Sequence, residues 1–146
     1  MVGRKEERRL LEEAAEKRDA QFIVVYGRRR VGKTYLIRET FGNVFTFSYT
    51  GVYGIGNKRQ LTEFGKSLNE HSLGSATTPD NWFDAFDALR SLIEQSKQKR
   101  RIIFFDEMPW MDSRKSDFVS ALERFWNGWA SGEKHLTLIV CGSALS

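Results

Sequence analysis

The stretch from Gly27 to Thr34 (GRRRVGKT) limits the folds open to this chain more than any other feature. It matches the pattern G-x-x-x-x-G-K-[ST], which requires a buried strand before it and a helix after it. The apolar run Gln21 to Tyr26 supplies such a strand, and a helix can follow from Lys33 to about Phe41, with Gly42 as its stop. The pattern therefore predicts an α/β fold in which this loop lies at the carboxyl end of a parallel strand.

Each fixed position of this loop has a physical reason. Gly27 and Gly32 let the backbone turn tightly and bring its amides against phosphate oxygens, at a helix N-terminus that favours anions. Lys33 adds a point charge toward the β- and γ-phosphates, and the Thr34 hydroxyl is a hard oxygen ligand for Mg²⁺. The loop thus predicts binding of a nucleoside triphosphate, ATP with Mg²⁺. The predicted binding residues are Gly27, Arg28, Arg29, Arg30, Val31, Gly32, Lys33, Thr34 and Tyr35.

The three consecutive arginines Arg28, Arg29 and Arg30 occupy positions that the pattern leaves free. We expect only their backbone amides to contact phosphate, while their side chains point to solvent. The alternative is that they clamp phosphates or form a nucleic-acid patch. A net charge of +4 leaves nucleic-acid contact open, although anionic nucleotides alone account for part of this balance.

A pair of adjacent carboxylates, Asp106 and Glu107, closes the apolar run Arg101 to Phe105. Because ligands of parallel sheets lie beyond the carboxyl ends of the strands, we expect this pair beside the phosphate loop. Asp106 is suited to support Mg²⁺ through its water shell, and Glu107 to orient and deprotonate the attacking water. Acidic residues also cap helices, but the following Met108, before a proline, makes a cap less natural here. The pair predicts ATP hydrolysis rather than the transfer chemistry of a small-molecule kinase.

The last apolar run, Leu136 to Cys141, leads into Ser143. Ser143 is predicted to emerge near the γ-phosphate and to hydrogen-bond the attacking water or that phosphate; the alternative is an ordinary turn serine. Cys141 is expected to be a small buried hydrophobe. The histidines His71 and His135 have no partner at metal-ligand spacing, and we expect both at the surface.

The remaining pattern predicts alternating helices and strands in a single domain, residues 1–146. Further helices are predicted over Arg4 to Arg18, Lys58 to Leu68, Trp82 to Gln95 (with Asp80 as N-cap) and Asp117 to Trp129, and a further strand over Val44 to Tyr49. Aromatic residues recur at helical spacing and are predicted to be core rather than platforms for stacking bases. They are Trp82, Phe83, Phe86, Phe125, Trp126 and Trp129.

The composition excludes several other classes of protein. A single cysteine rules out an internal disulfide and a cysteine-based metal site. No apolar run approaches the roughly 20 residues of a membrane span, and the charged N-terminal segment lacks the apolar centre of a signal peptide. We therefore expect a cytoplasmic protein without a membrane partner.

Taken together, these residues resemble the AAA+ superfamily of P-loop ATPases, especially the prokaryotic and archaeal-type AAA ATPases. The matching segments are Val2 to Glu7 (VGRKEE), the phosphate loop, Phe104 to Trp110 (FFDEMPW) and Cys141 to Ser143 (CGS). The resemblance implies a three-layer α/β/α sandwich with a mainly parallel sheet in the order 5-1-4-3-2. It also implies that Val2 and Gly3 lie near the adenine, and that Ser143 takes the place of the first sensor residue.

By the same resemblance the chain is the N-terminal part of an ATPase domain. The fifth strand, the helical lid, the second sensor, any arginine finger and a C-terminal effector region would then follow Ser146. We expect ATP and ADP as ligands, nucleic acid as a possible ligand of the effector region, and self-association through the open sheet edge. A nucleotide-dependent regulatory switch with slow turnover, and a nucleic-acid-binding module, remain alternatives to an ATPase that drives an effector.

Overall fold

The computed structural model describes residues 2–27, 32–42, 44–72 and 78–143. Helices separate all the successive strands in this part of the chain, as the sequence predicts, and two helices lie between the second and third strands. The helices and strands are α1 (Val2–Glu16), β1 (Gln21–Gly27), α2 (Lys33–Thr40), β2 (Phe47–Thr50), α3 (Asn57–His71), α4 (Trp82–Gln95), β3 (Arg101–Asp106), α5 (Phe118–Gly128) and β4 (Leu136–Ser143). Two short 3-10 helices, Met108–Trp110 and Ala130–Gly132, follow β3 and α5. None of the helices in the described ranges is long and apolar enough to cross a membrane.

The four strands form one sheet in the order β1-β4-β3-β2, and every neighbouring pair is parallel. This order agrees with the part of the predicted 5-1-4-3-2 arrangement that the described residues contain. The register aligns the carboxyl ends of the strands: Gly27 pairs with Ser143, and Thr50 pairs with Asp106. The segments that follow the four strands therefore meet at one edge of the sheet.

Helices cover both faces of the sheet, so the predicted three-layer α/β/α architecture is confirmed. Alternate residues of β3 serve the two cores: Phe104 packs with α1 and α2, whereas Phe105 packs with α3, α4 and α5. Both phenylalanines are fully buried. A strand buried on both faces needs a continuous apolar run, which is why β3 lacks the polar alternation of a half-exposed strand.

The aromatic residues at helical spacing belong to the larger core, as predicted. Trp82, Phe86 and Phe125 are buried. The Trp82 ring meets Phe118 edge-on with 5.0 Å between the centroids, and Phe86 lies 5.1 Å from Phe125. The remaining three predicted aromatics, Phe83, Trp126 and Trp129, are partly buried and pack against this core. These rings join α4 and α5 to the sheet and are not displayed as a base-stacking surface.

The second strand begins later than predicted. β2 covers Phe47–Thr50, whereas the apolar pattern predicts a strand from Val44. Val44 is 62% exposed and donates its amide to the carbonyl of Phe41, so it belongs to the turn after α2. Only from Thr46, whose amide donates to the Ile102 carbonyl at 2.9 Å, does the chain run beside β3.

The N-cap of α4 is Asn81, and the prediction of Asp80 was wrong. The Asn81 side chain accepts the amide hydrogen of Asp84 at 2.8 Å, which satisfies one of the free donors of the first turn. The histidines also differ from the prediction, because both are partly buried. His71 Nδ1 lies 2.8 Å from the Ser67 carbonyl oxygen.

Strand β1 occupies one edge of the described sheet and exposes apolar side chains there. Phe22 is 37% exposed and Val24 is 49% exposed, on the same face of β1.

We expect the chain to self-associate through this edge, because an exposed apolar edge strand invites pairing with another chain. Light scattering should show a mass that increases with protein concentration, and Val24→Lys should reduce the increase. A constant monomer mass at high concentration would contradict this expectation.

Candidate nucleotide site

The end of the phosphate loop leads into α2 with the backbone that the sequence predicts. Gly32 has φ 72° and ψ 25°, which is the left-handed region, and its carbonyl accepts the Leu36 amide at 2.9 Å. A side chain at this position would strain the backbone, so the second glycine of the pattern is required by conformation. Lys33 follows in the first turn of α2 and is only 7% exposed.

Thr34 and Asp106 meet across the carboxyl edge of the sheet. The Thr34 hydroxyl donates to Asp106 Oδ2 at 2.8 Å, although β4 lies between the strands that lead to these two residues. Asp106 is 5% exposed, and its other oxygen, Oδ1, accepts the Glu107 amide at 2.9 Å. Both carboxylate oxygens are therefore oriented before any ligand arrives.

The Thr34 and Asp106 pair fits a magnesium ion that also binds phosphate. Both offer hard oxygen atoms, and the two oxygens are already 2.8 Å apart. Within the described ranges, no group of three or more histidine, cysteine or acidic side chains could hold a metal by itself. Mg²⁺ commonly binds through one or two protein oxygens, substrate phosphates and water, so this sparse set suits it.

Glu107 has an unusual conformation for a residue with a side chain. Its φ of 52° and ψ of 41° are left-handed, and it immediately precedes the 3-10 helix Met108–Trp110. Its carboxylate does not cap that helix. Instead, Glu107 Oε2 accepts the indole N–H of Trp110 at 2.9 Å. A left-handed non-glycine residue costs of order 1–3 kcal/mol and persists where its surroundings hold it, often at functional sites.

Two glycines, Gly51 and Gly142, make room for this conformation. A Cβ built on Gly51 would lie 2.4 Å from the Glu107 carbonyl oxygen, and one built on Gly142 would lie 2.9 Å from Pro109 Cδ. The Gly51 amide also donates to the Asp106 carbonyl at 2.9 Å. The segment after β2 and the end of β4 thus press directly against the chain that follows Asp106. For Gly51, the available signal was a glycine that immediately follows a strand.

Cys141 lies beside Asp106 and is inert, as predicted. It is 1% exposed. Burial, followed by the negative charge of Asp106, raises the pKa of the Cys141 thiol to about 12. The thiol therefore stays protonated at neutral pH, where a thiolate would be needed for nucleophilic chemistry.

Several predicted site residues are described only in part. Ser143 pairs through its backbone with Gly27 at the ends of β4 and β1. Tyr35, in the first turn of α2, is 70% exposed. Val2 and Gly3 belong to the first turn of α1. Residues Arg28, Arg29, Arg30 and Val31 lie outside the described ranges, as do the side chains of Val2 and Ser143. The roles assigned to these residues stay predictions.

Two proteins with similar sequences differ in how much of their own length this chain matches. An uncharacterised protein of Methanocaldococcus jannaschii is 28% identical over 145 residues, which are 99% of this chain and 30% of that protein. An uncharacterised ATP-binding protein of the same organism is 50% identical over 42 residues, or 29% of this chain and 71% of that protein. The chain thus spans less than a third of the length of the first of these relatives.

Solved structures with the same fold are ATPase and ORC domains. The Walker-type ATPase of Pyrococcus abyssi superposes with a TM-score of 0.63 at 19% identity, over 95% of this chain and 44% of that one. The Drosophila ORC bound to DNA superposes with a TM-score of 0.65 at 14% identity, over 99% of this chain and 38% of that one. The Aeropyrum pernix ORC2 protein with ADPNP and ADP superposes with a TM-score of 0.55 at 18% identity, over 97% of this chain and 40% of that one. At these identities the likeness shows the fold alone.

A family model described as an ATPase domain predominantly from Archaea matches residues 1–146, the whole of the chain. This match agrees with the P-loop pattern, the parallel sheet order and the ATPase structures of the same fold. The chain therefore belongs to this family of ATPase domains.

Proposed function

We propose that the chain binds ATP with Mg²⁺ and hydrolyses it to ADP and phosphate. The observation that carries this proposal is the 2.8 Å contact between Thr34 and Asp106. It brings the helix that follows the phosphate loop to Asp106 at the end of β3, and Glu107, the residue suited to activate water, follows Asp106 directly. Membership of an ATPase family supports the same chemistry.

Each of these side chains has a separate role in the proposed reaction. Lys33, at the N-terminus of α2, binds the β- and γ-phosphates together with the loop amides. Thr34 and Asp106 would hold Mg²⁺, which when bound neutralises charge on the phosphates. Glu107 orients the attacking water and accepts its proton. Ser143 is proposed to contact the water or the γ-phosphate.

A magnesium titration tests the role of Asp106. ATP affinity and phosphate release by the chain should both depend on Mg²⁺. Asp106→Asn should raise the Mg²⁺ concentration that gives half-maximal phosphate release by about tenfold or more. The matched control is Asp112→Asn, because Asp112 is an exposed carboxylate after the 3-10 helix. Equal Mg²⁺ dependence of the wild type and Asp106→Asn would contradict the metal site.

The output of the ATPase in the longer protein is a separate proposal. We propose that nucleotide binding or turnover drives or gates an effector region, because the relative that matches along nearly the whole chain extends well beyond the matched domain. A regulatory switch would show tight ATP binding with very slow phosphate release. The steady-state rate of turnover therefore distinguishes a switch from an ATPase that drives its effector. Nucleic acid is a candidate ligand of that region, supported only by the ORC fold. A cytoplasmic location stays a prediction from the sequence.

A further inference from the structure

The carboxylate of Glu107 has a specific partner that the ATPase mechanism leaves unexplained. Trp110 donates its indole N–H to Glu107 Oε2 at 2.9 Å and its backbone N–H to the Glu107 carbonyl at 3.1 Å. The first is a charge-assisted hydrogen bond, a class stronger than a neutral one. One residue therefore holds Glu107 twice: the Trp110 backbone holds the Glu107 carbonyl, and the Trp110 side chain holds the Glu107 carboxylate.

Trp110 is itself held from the opposite side by Gln60 of α3. Gln60 is 1% exposed, and its amide nitrogen donates to the carbonyls of Trp110 at 3.0 Å and Val52 at 3.1 Å. Its amide oxygen accepts the Val52 amide at 2.8 Å and the Tyr49 hydroxyl at 2.6 Å. A buried amide with all these partners locks the segment after β3 to the segment after β2.

The Trp110 ring also contacts an aromatic residue of the segment after β2. Tyr53 meets it edge-on, with 4.5 Å between the ring centroids and 75° between the planes. The Trp110 backbone is therefore bound by Gln60, and its ring contacts both Tyr53 and Glu107. A ring held in this way is a more rigid donor than a glutamate side chain alone, which has several rotatable bonds.

We propose that Trp110 is a positioning residue for Glu107, and that Gln60 in turn fixes Trp110. The indole N–H occupies Oε2 of the carboxylate and leaves Oε1 to accept from the attacking water. This inference rests on the proposed ATPase function, because it assigns the support of the residue that orients the water. Support of this kind commonly sets activity without contacting substrate.

The test combines turnover with a direct signal from the indole. Trp110→Phe keeps a ring but removes the donor, and it should lower kcat about tenfold with ATP affinity unchanged. The matched control is Trp126→Phe, because Trp126 is a partly buried tryptophan of α5 whose ring contacts Phe22 instead. In ¹⁵N-labelled protein, Glu107→Gln should move the Trp110 indole N–H resonance and leave those of the other three tryptophans in place.

The outcomes separate this inference from the ATPase proposal. Equal turnover by the wild type and Lys33→Ala would overturn the proposed ATPase function. If the wild type exceeds Lys33→Ala but Trp110→Phe equals or exceeds the wild type, the positioning role is wrong and the ATPase proposal stands. An indole resonance of Trp110 that Glu107→Gln leaves unmoved would overturn the positioning role by itself, whatever the turnover.

Discussion

Replacing Lys33 by alanine is expected to abolish measurable ATP binding. Lys33 is 7% exposed in the first turn of α2, so its charge is poorly screened by solvent and acts directly on bound phosphate. A hydrogen bond to a charged group contributes about 1.5–3 kcal/mol, and the role proposed for Lys33 involves two phosphates. Loss of both contacts is therefore expected to move the affinity out of the measurable range in a nucleotide titration.

The matched control for this substitution is Lys97→Ala. Lys97 is an exposed lysine just before β3, at the amino ends of the strands and away from the phosphate loop. The Lys97→Ala substitution removes the same charge from the chain, so a loss of ATP binding caused by net charge alone would appear in both variants. Circular dichroism should show that both variants stay folded. ATP affinity in Lys33→Ala equal to that of the wild type would contradict the assigned role.

The parts of the fold that the sequence predicts well are those set by local pattern. α4 begins and ends at the predicted residues, Trp82 and Gln95, because its apolar stripe is regular and turn-forming residues precede it. The left-handed Gly32 also follows from the loop pattern alone. The order of the strands followed from the family resemblance, since neither spacing nor composition says which parallel strands are neighbours.

The details that sequence reasoning missed depend on contacts between distant segments. Glu107 is left-handed because its carbonyl lies against Gly51 and bonds back to Trp110, and its local sequence does not predict that backbone. Gln60 carries no motif, yet it joins three segments. Asp80 and Asn81 are both good capping residues, so a difference of one position is decided by the geometry of the turn.

Glu107→Gln is expected to keep ATP binding and to lose turnover. Glutamine has nearly the same shape and still offers an oxygen to the Trp110 indole, so the segment after β3 should retain its structure. It cannot accept the proton of the attacking water, and loss of a general base typically lowers the rate by about 10²–10⁴-fold. Phosphate release should therefore fall by about this factor while the nucleotide titration is unchanged.

The contrast between Lys33→Ala and Glu107→Gln separates binding from chemistry at one site. A matched control, Glu123→Gln, changes an exposed glutamate of α5 and should leave both binding and turnover as they are. Unchanged turnover in Glu107→Gln would remove the water-activating role, even if ATP binding is confirmed. Asp106, 5% exposed and engaged through both oxygens, would not readily replace Glu107, because the Thr34 hydroxyl and the Glu107 amide already hold it. A residual rate after the loss of Glu107 would then measure what phosphate and metal binding contribute without a base.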